Sequence, residues 1–529
     1  MSANSSSRYN QSARPSSPHT PQQQLRSGNT SFASTTSPGS SFRNEDDAII
    51  FEIGARWLRA GFEGNCAPAC VLGFGPEKSR RAGDYRGWIQ GAAGVSPPPK
   101  PVTPEEWVQD YELWQPDIRN IDLGLVEDKI ERVFRETYNQ HLLTDAGSSR
   151  LVLTLPSLMP HPILSSLLST LFSRWRFPSI TLLPSATMSA TAAGLRSALI
   201  VDLGWAETTA TGIYEYRDVV TKRSTRAMKS LLQEMGRLLT TLKSNEEPHD
   251  ITDGQISVGL AYCEEVVSRF SWCKSTSEEG NKPEELERTI LIPSPTNPEQ
   301  EFCDIAFSRL AEPVEKILLA SGLAEHELDD DETPIPLLVY NALLALPPDS
   351  RGTCMSRIVF VGGGARIPGL RQRILKEVSL LIQRHGWSAI RGKAIERQRR
   401  RLEDLRVSSH INGEKPTNSD KPFSGDDDKP DPSQEEPEID FVEQKLRRQN
   451  RDTPAPVHGI LREVESLGAW AGASLVTSLK IRGMVEIERE KFLQHGLAGA
   501  TRDLDHPVPD RRSGLRAGDR SSWTLAGWA

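Results

Sequence analysis

At 529 residues and a hydrophobic fraction of 37%, the chain can bury a substantial core but is longer than one compact unit needs. A net charge of -8 gives no general attraction to nucleic acid or anionic lipid, so any partner is expected to be another protein. Six cysteines are too sparse for a disulfide framework, and no apolar run reaches bilayer length or has the layout of a signal peptide, so a soluble, non-secreted chain with reduced thiols is expected.

Residues 1–45 run through Ser, Pro, Gln, Thr and Asn with almost no aliphatic content. That composition cannot offset its own ordering entropy and predicts a disordered tail. From Asp46 apolar and polar residues alternate beside turn residues, and folded structure is expected over 46–390. Cys66 and Cys70 are not followed by a second pair or a histidine at zinc spacing, which argues against a metal site. Ser79 to Pro116, with the run Ser96–Pro101 at its centre, reads as an exposed loop.

Val126, Ile130, Val133, Phe134 and Tyr138 have the spacing of an amphipathic helix, followed by a strand over Arg150–Leu155. A helix over Pro162–Trp175 and a strand over Ser179–Leu183 come next, an alternation that argues for an α/β fold with layered sheets. Helical patterns over Met228–Thr241 and Gly259–Cys273, separated by the polar Ser244–Thr252, suggest a small lobe. Beyond a helix at Leu370–Ile382, residues 391–456 turn charged and polar and predict an unfolded insertion. The arginine run Arg397–Arg401 beside it reads as the solvated end of a charged helix or as a nuclear signal. The fold is expected to resume over 457–499, with a helix at Leu467–Leu479 whose small residues permit close backbone approach. Residues 500–529 are again polar and basic, and a loose end is expected there.

Three stretches set an apolar strand against a glycine-bearing turn: Ile49–Phe62, Ala198–Tyr216 and Arg357–Gly369. A phosphate-binding hairpin needs small turn residues, so that backbone N–H groups reach the phosphate oxygens, and a strand-end acid to hold a hydrated metal. In the first, Glu52 and Gly54 meet that need and Arg59 is placed to reach back toward phosphate, but Ala55 has no hydroxyl and Arg56 replaces a small residue. In the second, Asp202 and Gly204 meet it, and Trp205 then intrudes, pointing outward or occupying the site. The third, Gly362-Gly363-Gly364 with Pro368-Gly369, suits a turn that packs against a flat ring. Two readings of Arg56 stand open: a cation added to bound phosphate, or a guanidinium that replaces phosphate by pairing with Glu52 and Asp202. Arg269 could approach an adenosine or lie at the surface.

The order and spacing of these elements, together with Arg59–Gly64, Leu153–Ser157 and Trp470–Leu475, resemble the actin-related proteins. The resemblance implies an actin-like ATPase fold, with duplicated ribonuclease H-like domains and four subdomains around a nucleotide cleft. It places Glu52, Gly54, Ala55, Arg56, Arg59, Asp202, Gly204, Gly362, Gly363 and Gly364 around ATP or ADP, with Glu52 and Asp202 holding magnesium through water. It also puts Ser185 where the family has its water-positioning glutamine, so no catalytic residue is expected and hydrolysis should be slow or absent, with nucleotide permanently held or missing.

Gly83–Arg86, Leu113–Leu125 and Gly204–Thr208 resemble fungal forms of the class that caps the pointed end of dynactin's filament. That likeness implies a cytoplasmic, cytoskeletal subunit whose partners are the centractin-type actin-related filament and the dynactin pointed-end subunits. The alternative is a nuclear actin-related scaffold of a chromatin remodeller. A sugar kinase or Hsp70-like enzyme would need an intact phosphate site, which the sequence does not display. The aromatic residues Trp88, Trp107, Tyr111 and Trp114 form either a partner surface or the cover of a lobe core.

Overall fold

The computed structural model describes residues 48–76, 101–119, 121–147, 149–244, 254–275, 288–293, 302–323, 327–387, 459–481, 485–499 and 501–502. The N-terminal tail, the 391–456 insertion with its arginine run, Gly83–Arg86, Trp88 and nearly all of the C-terminal end lie outside these residues.

Among the described residues, alternating and β-branched segments form thirteen strands: β1 (Ile49–Ile53), β2 (Trp57–Phe62), β3 (Cys70–Gly73), β4 (Leu151–Leu155), β5 (Ser179–Pro184), β6 (Ala198–Leu203), β7 (Thr208–Tyr214), β8 (Arg217–Ser224), β9 (Thr289–Pro293), β10 (Phe302–Ala306), β11 (Ile358–Val361), β12 (Val485–Glu488) and β13 (Thr501–Arg502). One sheet runs β13-β12-β5-β4-β1-β2-β3 and another β11-β6-β7-β8, with β9 and β10 as a separate ribbon. In the first, β1, β2 and β3 are antiparallel neighbours and β4 lies parallel beside β1. In the second, β6, β7 and β8 are antiparallel neighbours and β11 lies parallel beside β6. The same arrangement is thus built twice. Central strands covered on both faces need continuous apolar runs, and β4 is buried at every position.

The helix Leu123–Glu136 buries Val126, Ile130, Val133 and Phe134, the expected stripe, and its cap Asp122 accepts from the N–H groups of Gly124 and Leu125. The other expected helices appear as His161–Thr170, Met228–Ser244, Leu260–Phe270, Leu370–His385 and Ala469–Ser478. Each sheet builds its own core. Phe51, Phe134, Leu153 and Phe172 belong to the first, and Leu199, Val201, Leu231, Val266 and Tyr340 to the second.

Between the sheets lies the helix Ser185–Ala192: Met188 packs with Ile50 and Val152 of the first sheet, Ala190 with Ile200 and Val359 of the second. The small-residue helix Ala469–Ser478 crosses it closely. A Cβ on Gly472 would fall inside the Met188 carbonyl group, 2.7 Å from its carbon, so only glycine permits this approach.

One expectation requires correction and one open alternative closes. The described part of Ser79–Pro116 is not simply loop, because Pro104–Gln109 is a helix whose cap Thr103 and third residue Glu106 satisfy each other's backbone N–H. Of the two readings of the aromatic residues, the described Trp107 and Trp114 take the one in which they cover core. Trp107 is buried in the second core with its indole N–H donating to the Val258 carbonyl at 2.7 Å, and Trp114 is buried in the first. Apolar area on Trp is better covered than wet, and both rings are used that way.

Candidate nucleotide cleft

The four-residue turns Gly54–Trp57 and Gly204–Glu207 close equivalent hairpins, between Ile53 and Leu58 in one half and Leu203 and Thr208 in the other. Glu52 and Asp202 each stand one residue before their strand ends, cross-strand from Arg59 and Thr209. The duplicated fold therefore aims two acids and two turns at the junction of the halves.

Glu52 is committed on both oxygens. Arg59 reaches back across the hairpin, as its position suggested, but donates to Glu52 Oε1. Glu52 Oε2 accepts from the Trp470 N–H at 3.1 Å, at the start of the helix Ala469–Ser478, where a helix dipole favours negative charge. Asp202 is half-buried. Burial pushes its carboxyl up to about 6, the negative charge of Glu52 adds to the rise, and Arg59 opposes it.

Arg56 follows neither of its two open readings. Its Nε and Nη2 donate to the Glu264 carboxylate at 3.0 and 3.2 Å, and Nη1 donates to the Tyr111 carbonyl at 3.4 Å. The pairing with Glu52 and Asp202 is thereby corrected: the fork turns away from both acids and finds a bidentate carboxylate on the helix Leu260–Phe270 of the second core. The Arg56 side chain is 3% exposed, and its guanidinium packs against the rings of Trp57, Tyr111 and Trp205, with centroids 4.2, 5.3 and 5.7 Å away.

Trp205 resolves inward. Its indole packs against both cores and donates from Nε1 to Glu112 Oε2 at 3.0 Å. The buried Glu112 also receives Lys229 Nζ on Oε1 at 2.8 Å, and its own carbonyl accepts from Lys129 Nζ at 2.8 Å. The start of the helix Met228–Ser244 is tied to the same turn, through the Met228 N–H to the Gly204 carbonyl and the Lys229 N–H to the Trp205 carbonyl.

At the third element, Gly362 has φ 84° and a Cβ there would lie 2.5 Å from the Leu203 carbonyl oxygen, so this glycine lets the turn nest on the second hairpin. Gly362 and Gly363 are exposed, while Gly364 is buried between Leu203 and Met228. Ser185 begins the helix Ser185–Ala192, and its carbonyl accepts from the Ser189 hydroxyl. Arg269 pairs with Glu265 on its own helix.

A metal-bound triphosphate does not fit the phosphate end of this cleft. The space between the two turns holds the Arg56 guanidinium, the Trp205 indole and the Tyr111 ring, and both oxygens of Glu52 already have donors. Among the described residues no group of three or more His, Cys, Asp or Glu is placed to hold a metal. Sequence reasoning missed Glu112, Lys229 and Glu264, which decide this geometry. Arg56 and Glu264 are 208 positions apart, and no local pattern couples them.

Residues 43–244 match the family model described as Actin. This chain has the actin-like ATPase fold. It is 22% identical to an actin-related protein 2 of Arabidopsis thaliana over 54% of this chain and 71% of that protein, and 23% identical to an actin-related protein 2 of Acanthamoeba castellanii over 49% and 64%. It is 20% identical to an actin-related protein 10 of Dictyostelium discoideum over 63% of this chain and 73% of that protein. These similarities support a divergent actin-related protein.

Proposed function

We propose that this actin-related chain is a structural subunit that caps the pointed end of the actin-related filament of dynactin and helps dock pointed-end and cargo-adaptor subunits for dynein-based transport in the cytoplasm. In this reading it does not polymerise and does not turn over ATP. The observation that carries it is the filling of the phosphate end of the cleft by Arg56, Trp205 and Tyr111, held by Glu264 and Glu112. Phosphoryl transfer is almost wholly a matter of positioning phosphate, metal and water, and a cleft so filled positions none of them. A filament subunit whose nucleotide cycle is disabled suits a place at an end.

The resemblance of Gly83–Arg86, Leu113–Leu125 and Gly204–Thr208 to the pointed-end class supports the choice of filament, as does similarity to an actin-related protein 10 along 73% of its length. The test is affinity purification of the tagged full chain from its own cells. Recovery of a centractin-type filament with dynactin pointed-end subunits is expected; recovery of a nuclear remodelling complex instead would overturn the proposal.

A further inference from the structure

A second set of contacts joins the same two cores. The segment 102–115, which follows β3 in the chain, docks first on the second core and then on the first. Val102 and Ile256 exchange backbone hydrogen bonds at 3.1 and 3.0 Å. Trp107 and Val108 are buried among Met235, Leu239 and Ile256, and Gln233 Nε2 donates to the Pro104 carbonyl at 2.8 Å. A few residues later Leu113 and Trp114 are buried in the first core, and the Leu113 N–H donates to the Ala55 carbonyl at 2.7 Å, gripping the first phosphate turn from outside. Between these anchor points Tyr111 and Glu112 meet Arg56, Trp205 and Lys229.

We infer that segment 102–115 and the Arg56–Glu264 pair form a protein-made strut that holds the two lobes closed, standing in for the phosphates and metal that would otherwise link the two hairpins. The chemistry matches position by position. A guanidinium and a carboxylate replace the charge contact between one turn and the opposite lobe, and Glu112 draws the second turn and Lys229 to the strap. Each charge in the strut has a partner, as burial requires, since an ion left alone in such a place is strongly destabilising. The consequence is a clamshell whose closure is a fixed property of the chain rather than a response to ligand. A ligand shifts a conformational equilibrium only through differential affinity for its states, and here the closed state is made by side chains. This inference rests on the reading of a disabled nucleotide cycle given above, though not on the identity of the filament.

The test is amide hydrogen exchange on the full chain, following the Val102 and Ile256 amides that bond across the lobes. Arg56→Gln and Glu264→Gln should each lower protection of these amides at least tenfold, and the double variant should lose no more than either single change. The exchanged pair Arg56→Glu with Glu264→Arg, which folds or fails independently of the neutral variants, should recover part of the loss. Adding Mg·ATP to the unmodified protein should leave these amides unchanged. Additive effects of the two single substitutions, unchanged protection in both, or a marked rise in protection with Mg·ATP would each overturn the strut. Loss of dynactin co-purification with the exchange pattern intact overturns the capping proposal alone.

Discussion

Glu112 is the point at which the strap, the second hairpin and the second lobe meet, and removing its carboxylate has a consequence of calculable size. Glu112 is 7% exposed and Lys229 17%, so Glu112→Ala leaves a largely buried ammonium with, among the described residues, the weaker contact to Gln115 at 3.4 Å. Removing one partner of a buried ion pair costs about 3–5 kcal/mol, and the orphaned Trp205 indole N–H adds about 1 kcal/mol. Glu112→Gln keeps one neutral acceptor and should cost about 1.5–3 kcal/mol. Urea unfolding followed by tryptophan fluorescence reads this directly, because Trp205 is one of the reporters. With a denaturant slope of about 3 kcal/mol per molar, at the upper end for small domains, the alanine variant should shift the transition that exposes Trp205 by roughly 1 M or more. An alanine variant whose midpoint and emission match the parent would refute the account of how the lobes are joined.

Two further outcomes follow from other parts of the molecule. Gly472→Ala should push the helices Ala469–Ser478 and Ser185–Ala192 apart, since the added carbon has no room at the Met188 carbonyl; a loss of about 1–3 kcal/mol is expected in a urea titration, and an unchanged midpoint would contradict the close crossing. Asp202, whose carboxyl sits near 6 in the folded chain against 3.8 ordinarily, holds its proton better folded than unfolded. Stability from this group is therefore full below the unfolded value and falls as pH rises toward the folded one. Asp202→Asn should remove that fall, gaining about 2–3 kcal/mol over the parent between pH 4 and pH 7, as measured by unfolding at a series of pH values. A constant difference across the range would contradict the burial argument.

Much of the fold was legible because strand and helix periods are local. The hairpin Ile49–Phe62, the stripe Val126–Phe134 and the small-residue helix at Trp470 each advertise their burial in their own spacing. The helix Ile335–Ala345 was not read, because a segment apolar almost all round has no amphipathic period to detect. The ribbon of β9 and β10 also escaped, as did the helix Pro104–Gln109, although its Thr103–Glu106 capping signature was present in the sequence beside the distracting prolines. At the cleft, the anomalies Arg56 and Trp205 were visible as the wrong residues for a phosphate turn. Their partners were not, since an ion pair between Arg56 and Glu264 depends on tertiary placement that no short-range pattern encodes.

The central claim is that side chains, not a nucleotide, fill the phosphate end of the cleft. Its most direct measurement is the nucleotide content and phosphate release of the full chain purified in magnesium without added ATP and then supplied with it. Acid extraction is predicted to release no stoichiometric ATP or ADP, and phosphate release on adding Mg·ATP is predicted to stay at the level of a protein-free control. One bound adenine nucleotide per chain, together with turnover comparable to that of filament-forming actins, would contradict it.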